Sequence, residues 1–273
     1  IVNAGPASPL AKSAAWMGGI NILGFLISVV FKNCHYHLDL LGTGAFAVTA
    51  AVSHLAGPGK MFVRQRLVAG IVGAWSVKLA SFLFFRAIKT GHDARLDELL
   101  STIPGMTTFW LISFLWGWLV ISPQTMLAGS AVNVPLGIWG KAAAAIAVTG
   151  ILIETAADLS KWSFKSNPAN KGLFCNVGVW KWSQHPNYAG NLMIWYGVTG
   201  LCLPAVLHGS AGMVLGRKLV SALVGPAFLT LLFNGQARGF IADAVEAAEA
   251  RYGSVAGYKD YVTNTGLIFP WDK

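Results

Sequence analysis

Seven apolar stretches, each close to or beyond the roughly 20 residues that a helix needs to cross a bilayer, constrain this 273-residue chain more than any motif does. They run over Ala14–Phe31, Leu38–Ala56, Leu67–Phe85, Met106–Ile121, Pro135–Ile153, Ala189–Leu207 and Leu219–Phe233. A long helix in a soluble core keeps a charged face at helical spacing, and these segments mostly lack one. Charged residues make up 11% of the chain, against about 25% in a soluble domain. The 11 Trp and 31 Gly point the same way, since Trp gathers at membrane interfaces and Gly at membrane helix contacts. The expectation is an all-α polytopic membrane helical bundle of about seven transmembrane helices. With no internal repeat, low-complexity tract or linker, residues 1–273 read as one integral membrane domain.

A net charge of +9 could suggest nucleic acid, but the basic residues sit in short loops between apolar runs, and a nucleic-acid partner is not expected. Their distribution reads as a positive-inside bias. One side carries Lys12, Lys60, Arg64, Arg66, Arg217 and Lys218, six residues. The other carries twelve: Lys32, Arg86, Lys89, Arg95, Lys161, Lys165, Lys171, Lys181, Arg238, Arg251, Lys259 and Lys273. Lys78 and Lys141 fall inside spans. The bias puts the 154–188 loop and the C-terminus together on the cytosol, stroma or matrix side. Three cysteines, Cys34, Cys175 and Cys202, are too few and scattered for a disulfide framework or a zinc site. The chain starts at Ile1 without a basic-plus-apolar signal, as after removal of a targeting segment. That fits an organelle membrane: plastid, mitochondrion or endoplasmic reticulum.

The loop after the fifth span carries the chemistry. Glu154 and Asp158 share a helix face, Lys161 and Lys165 follow at similar spacing, and Asn167-Pro168-Ala169-Asn170-Lys171-Gly172 stops the helix. Gly178, Trp180, Lys181 and Trp182 lead into His185-Pro186-Asn187-Tyr188. Pro186 disfavours helical geometry at His185 and can open the next helix, which presents the imidazole at a span's mouth. Helix N-termini attract anions, and lysines nearby reinforce that. Donors, carboxylates and rings at a membrane edge suit an amphipathic nucleotide; an interfacial belt of aromatics, lysines and caps would read the same. Elsewhere, Cys34, His35 and His37 read as a short hydrated turn rather than a metal clip. His54, His92 and His208 lie near span ends where they meet water. Lys78, inside a span, reads as structural.

Three segments carry a family resemblance: "WSVKLASFLFFR" with "GHDARLDE" (75–98), "IETAADLSKWSFKSNPANKGLFCNVGVWKWSQHPNYAGNLMIWYG" (153–197), and "RYGSVAGYKDYVTNTGLIFPW" (251–271). The sequence resembles a membrane family related to steroid 5-alpha-reductases, within the wider group of sterol reductases and isoprenylcysteine methyltransferases. The resemblance implies that the His-Pro-Asn-Tyr segment lines a cofactor pocket on the cytosolic side of a helical bundle. It implies NADPH binding and hydride delivery to a polarised carbon–carbon double bond of a lipid-like substrate. By matched position Asp158, Lys165, Asn187 and Tyr188 hold the dinucleotide, with Glu154 beside them and His185 in the same wall. Lys171 and Lys181 are added on charge alone, and Asn170, Asn191 and Arg238 complete the candidate cofactor-binding set. No catalytic residue is assigned, and no metal site is expected.

The departures matter too. The family's Arg before His-Pro-Asn-Tyr is Gln184 here, its Glu after the Gly is Asn191, and its acidic position in "RGFIADAVEAAEARYG" (238–253) falls on Val245. The acids before Glu154 are Asp39, Asp93, Asp97 and Glu98, and the only tyrosine there is Tyr36. None offers itself as a proton donor. Three readings follow. The first is an NADPH-dependent membrane reductase of a steroid, sterol or other enone lipid. The second is a non-catalytic accessory subunit in an organelle-membrane complex. The third is an S-adenosylmethionine methyltransferase. The partners are accordingly the lipid bilayer and either a hydrophobic lipid substrate or the subunits of a membrane complex. An odd number of spans puts the 154–188 loop and residues 234–273 on one side of the membrane. Cysteine-accessibility labelling that reports those two segments on opposite faces would overturn this topology.

Overall fold

The computed structural model describes residues 8–31, 34–91, 96–241 and 244–272, with the Glu98 side chain outside that set. His92 and Asp93 lie outside the described residues. Ten helices follow one another: α1 (Pro9–Val30), α2 (Tyr36–Ala56), α3 (Val63–Thr90), α4 (Asp97–Leu100), α5 (Ile103–Ala128), α6 (Gly137–Ser166), α7 (Pro186–Val206), α8 (Gly212–Ala237), α9 (Ala244–Tyr252) and α10 (Tyr258–Asn264), all among the described residues. Extended backbone pairs only once among them, in an isolated bridge between Ser183 and Gly266. The seven expected spans coincide with α1, α2, α3, α5, α6, α7 and α8, each long and apolar enough to cross a membrane. The protein is an all-α integral membrane protein.

Local chemistry sets the helix ends. Ser8 caps α1 by accepting from Ala11 N at 3.2 Å with Pro9 behind it, and Thr102 caps α5 by accepting from Gly105 N at 3.2 Å. α6 does not stop at Ile153. The turn carrying Glu154 and Asp158 continues the helix to Ser166, because no Gly or Pro interrupts it before Asn167-Pro168.

The chain divides into two compact units, Ile1–Lys141 with Val198–Gly225, and Ala142–Gly197 with Pro226–Lys273. In the first, Phe46 lies edge-on to Trp75 and Trp116 with ring centroids 5.1 and 4.9 Å away. Two sequence expectations are corrected in this unit. Arg64 is not a solvated loop cation but is 3% exposed. Its guanidinium donates to Leu201 O at 2.6 Å, Pro135 O at 2.7 Å and Val134 O at 3.3 Å. A fixed fork of donors suits this role, since it ties the loop carbonyls of Val134 and Pro135 to the Leu201 carbonyl within α7. His35 and His37 are not a hydrated turn either, and both are buried. His37 Nε2 lies 2.9 Å from Ser28 Oγ, its ring stacks on Trp110, and His35 faces Asp97 at 3.7 Å. Apolar neighbours on α1, α2 and α5 exclude the water that the reading of Cys34, His35 and His37 as a hydrated turn invites.

The second unit depends on a close approach of α6 to α7. A Cβ at Gly190 would lie 2.7 Å from both Gly150 O and Glu154 N. One at Gly150 would lie 2.5 Å from Gly190 O, and one at Gly197 would lie 2.7 Å from Ala143 O. Small residues at these points let the two backbones touch, as membrane helices require when dispersion drives their association. The contact also sets Asn191 Nδ2 2.8 Å from Glu154 Oε1, both side chains being buried. Gly190→Ala should therefore lower the apparent melting temperature in detergent, at a cost of about 1–3 kcal/mol. Gly70→Ala, where a Cβ meets nothing within 4 Å, should leave it unchanged or raise it.

Candidate functional site

Within the second unit, the C-terminal turns of α6, the start of α7, the end of α8, and α9 and α10 line an open-mouthed cavity of about 750 Å³. Its size falls within the range of small-molecule and cofactor sites, roughly 300–1,000 Å³. Hydrogen bonds between distant segments build it. Gln184 Nε2 donates to Val262 O at 3.0 Å and Thr265 O at 2.9 Å, while its backbone N donates to Gly266 O at 2.8 Å. Ser183 Oγ donates to Ile268 O at 2.6 Å and His185 N to Leu267 O at 3.1 Å. Tyr261 Oη donates to Trp180 O at 2.8 Å, and Trp180 Nε1 to Ala157 O at 2.9 Å. The C-terminal segment is thereby pinned as a wall.

α8 turns into that wall through a Schellman end. Phe240 N donates to Gly235 O at 2.8 Å and Gly239 N to Gln236 O at 3.2 Å. Gly239 takes φ 76° at the position where that motif needs the left-handed region. A side chain there would be strained.

Aromatic rings dominate one side. Tyr188 is sandwiched between His185 and Phe233, with centroids 4.9 and 4.5 Å away and interplanar angles of 7° and 5°. The cations lining the cavity are Lys161, Lys165 and Arg238. Lys161 Nζ lies 4.2 Å from the Trp180 ring centroid, a cation–π distance. Lys165 Nζ donates to Leu173 O at 2.5 Å and Tyr252 Oη at 2.8 Å, and Arg238 lies 3.7 Å from Asp272. Asn187 carries the wall's unsatisfied acceptor: its Oδ1 is buried without a hydrogen-bond partner among the described residues.

Of the residues singled out by sequence, Lys165, His185, Asn187, Tyr188 and Arg238 line the cavity together. Glu154 and Asn191 pair with each other along α6 and α7, and Asp158 is half-buried on α6. Asn170 closes the end of α6 by donating to Phe164 O at 2.9 Å, and Lys171 and Lys181 are exposed. Two of the departures acquire a physical meaning. Gln184 is an anchor for the C-terminal wall, a task its amide performs where a guanidinium would need acceptors for five donors. A carboxylate in place of Asn191 would face Glu154 in a buried site, so one of the two acids would have to stay protonated.

Sequence reading missed Glu249, Tyr252, Tyr258, Val262 and Thr265, all of which line the cavity. A signal was present: three of the chain's six tyrosines, Tyr252, Tyr258 and Tyr261, fall within ten residues of a polar segment.

Burial, with a smaller contribution from the charge of Lys161, lowers the His185 pKa from 6.5 to about 4. The imidazole is therefore neutral at physiological pH, a hydrogen-bonding and stacking group rather than a phosphate-binding cation. Burial also raises the Cys175 thiol, which outweighs the opposing effects of the Val177 backbone, Lys161 and Lys165. That cysteine is an inert part of the wall.

The chain belongs to the DUF1295 family. The family model, described as "Protein of unknown function (DUF1295)", matches residues 24–265 and so includes the segments that build the cavity. No curated protein and no solved structure matches the chain.

The lowered His185 pKa fixes how this member of the family should respond to acid. Between pH 6.5 and about 4 the unfolded chain binds a proton at this position that the folded chain does not. Stability is full above 6.5 and falls on acidification through that window, by an amount on the order of 3 kcal/mol. The melting temperature should drop between pH 7 and 4.5, and His185→Gln should flatten that dependence; an unchanged slope in the variant would contradict the assignment.

Proposed function

We propose that this protein is a membrane reductase that uses NADPH to saturate a carbon–carbon double bond conjugated to a carbonyl in a steroid, sterol or other enone lipid. The observation that carries this reading is the meeting of Lys165, His185, Asn187, Tyr188 and Arg238 around one 750 Å³ cavity. The unpartnered Asn187 Oδ1 fits an amide donor such as the nicotinamide carboxamide. The stacked aromatic wall fits a planar ring, and Lys161, Lys165 and Arg238 supply the charge that phosphates need. When bound, the cofactor supplies a hydride. The chain's residues orient the dinucleotide and polarise the substrate carbonyl. The association of DUF1295 with steroid 5-alpha-reductase-like proteins supports the same reading. The membrane we propose is that of an organelle, with the cavity facing cytosol, stroma or matrix.

One observation favours a second reading, an accessory subunit of a membrane complex. All three cations lining the cavity already contact protein groups: Lys161 lies over Trp180, Lys165 bonds Leu173 and Tyr252, and Arg238 lies 3.7 Å from Asp272. A phosphate would have to displace some of these contacts.

Nucleotide binding separates the two. The protein in nanodiscs should bind NADPH, seen as enhanced cofactor fluorescence, and more tightly than NADH. Asn187→Ala should weaken both about tenfold, the loss of one hydrogen bond worth roughly 1 kcal/mol or slightly more. Absence of NADPH binding, with co-purification in a stable complex, would establish the accessory reading instead.

A further inference from the structure

Four tyrosines line the cavity, and they differ in what their hydroxyls and rings contact. Tyr261 is structural, with its proton given to Trp180 O at 2.8 Å. Tyr188 has both ring faces covered by His185 and Phe233. The Tyr258 ring packs against Phe174 and Tyr252, with centroids 5.4 and 5.8 Å away. Tyr252 stands apart because a cation is held on its oxygen. Lys165 Nζ donates to Tyr252 Oη at 2.8 Å and lies 4.7 Å from the ring centroid, and the Arg251 guanidinium lies 6.0 Å from it. The ammonium is fixed from its far side by its bond to Leu173 O.

A phenol oxygen that accepts from an ammonium keeps its own proton to give. Among the described residues, no acceptor takes the Tyr252 proton, and the side chain faces a cavity large enough for a ligand. The cation favours the phenolate over the phenol, which makes the hydroxyl a stronger acid. Burial works against ionisation, but the Lys165 and Arg251 hydrogen bonds and charges outweigh it, and Tyr252 lies below the ordinary tyrosine value. Tyr258, next to it, is shifted the opposite way by burial, by Glu249 and by Tyr252 itself. The charged and titratable groups around Tyr252 are thus Lys165 on α6, Arg251 and Glu249 on α9, and Tyr258 on α10.

We propose that Tyr252 is the proton donor of the cavity and that Lys165 is its positioning residue. The proposal rests on the reductase reading and supplies the acid that the first half of the sequence lacks. The substrate's β-carbon forms a C–H bond with the hydride from NADPH as the carbon–carbon π bond breaks. That electron pair passes to the carbonyl, where the enolate oxygen is stabilised by the Tyr252 hydroxyl. The Tyr252 O–H bond then breaks to deliver its proton, and the enol relaxes to the saturated ketone. NADP⁺ and a phenolate beside Lys165 remain, and the phenolate recovers a proton from water.

Tyr252→Phe, Lys165→Met and Lys165→Arg in the full chain, reconstituted in nanodiscs, test this. Without any ligand, the ultraviolet difference titration of wild type against Tyr252→Phe should show one phenol ionising at lower pH than free tyrosine. That signal should move to higher pH in Lys165→Met and be largely restored in Lys165→Arg. With NADPH and cholest-4-en-3-one, kcat should fall at least about a hundredfold in Tyr252→Phe, the scale of a lost general acid, while NADPH affinity and KM change less than threefold. A wild type that binds no NADPH overturns the reductase reading and this proton transfer with it. Turnover that survives in Tyr252→Phe, or a Tyr252 phenol that titrates as free tyrosine does, overturns the role of Tyr252 and leaves the reductase reading standing.

Discussion

The contact of the α6 and α7 backbones at Gly150 and Gly190 is the constraint on which the second unit depends. Lipid offers helices no hydrophobic reward for association, so their packing rests on dispersion at close range and on polar pairs such as Asn191 with Glu154. Once these two helices are locked, their ends are locked as well. The last turns of α6 deliver Lys161 and Lys165, and the first turn of α7 delivers Asn187 and Tyr188. The C-terminal segment then needs few bonds to close the cavity, and the backbone bonds of Gln184 and His185 with Gly266 and Leu267 provide much of that closure.

Charge in this protein is handled in two ways. Arg64 is buried with its guanidinium spread over three carbonyls, so that a cation becomes a structural clamp between the 134–135 loop and α7. The cavity lysines are instead held over a ring or on a phenol, and Arg238 beside Asp272, with part of their hydration retained: Lys165 is exposed, yet two of its donors are already directed. A cation directed in this way carries a fixed local field at the cavity wall rather than a freely hydrated charge.

The transmembrane architecture was readable from hydropathy, since a bilayer demands an apolar run of a particular length and seven such runs stand out. The segment from Glu154 to Tyr188 stood out because its residue types are out of place beside apolar spans, although its first turns continue α6 instead of forming a loop. What escaped was everything that depends on long separation. The bonds from Gln184 to Val262 and Thr265 cross 78 and 81 positions, and no local pattern announces them. The burial of His35, His37 and Arg64 escaped for a related reason. A polar residue at a span's edge reads as wet unless one knows which aromatic ring or carbonyl will come to meet it.

The same long separations bear on how the protein is made. α6 and α7 are synthesised before α8, yet the Gln184 side chain finds its acceptors only after Val262 and Thr265 have left the ribosome. Until then the nascent chain presents an open half-site, with the His185–Tyr188 ring pair uncovered and the amide of Gln184 idle. Completion of the cavity is therefore a post-insertion event, and a late one. A fault in the final membrane insertion, rather than any change at the cavity itself, is enough to leave the chain embedded in its bilayer with the C-terminal wall unbuilt.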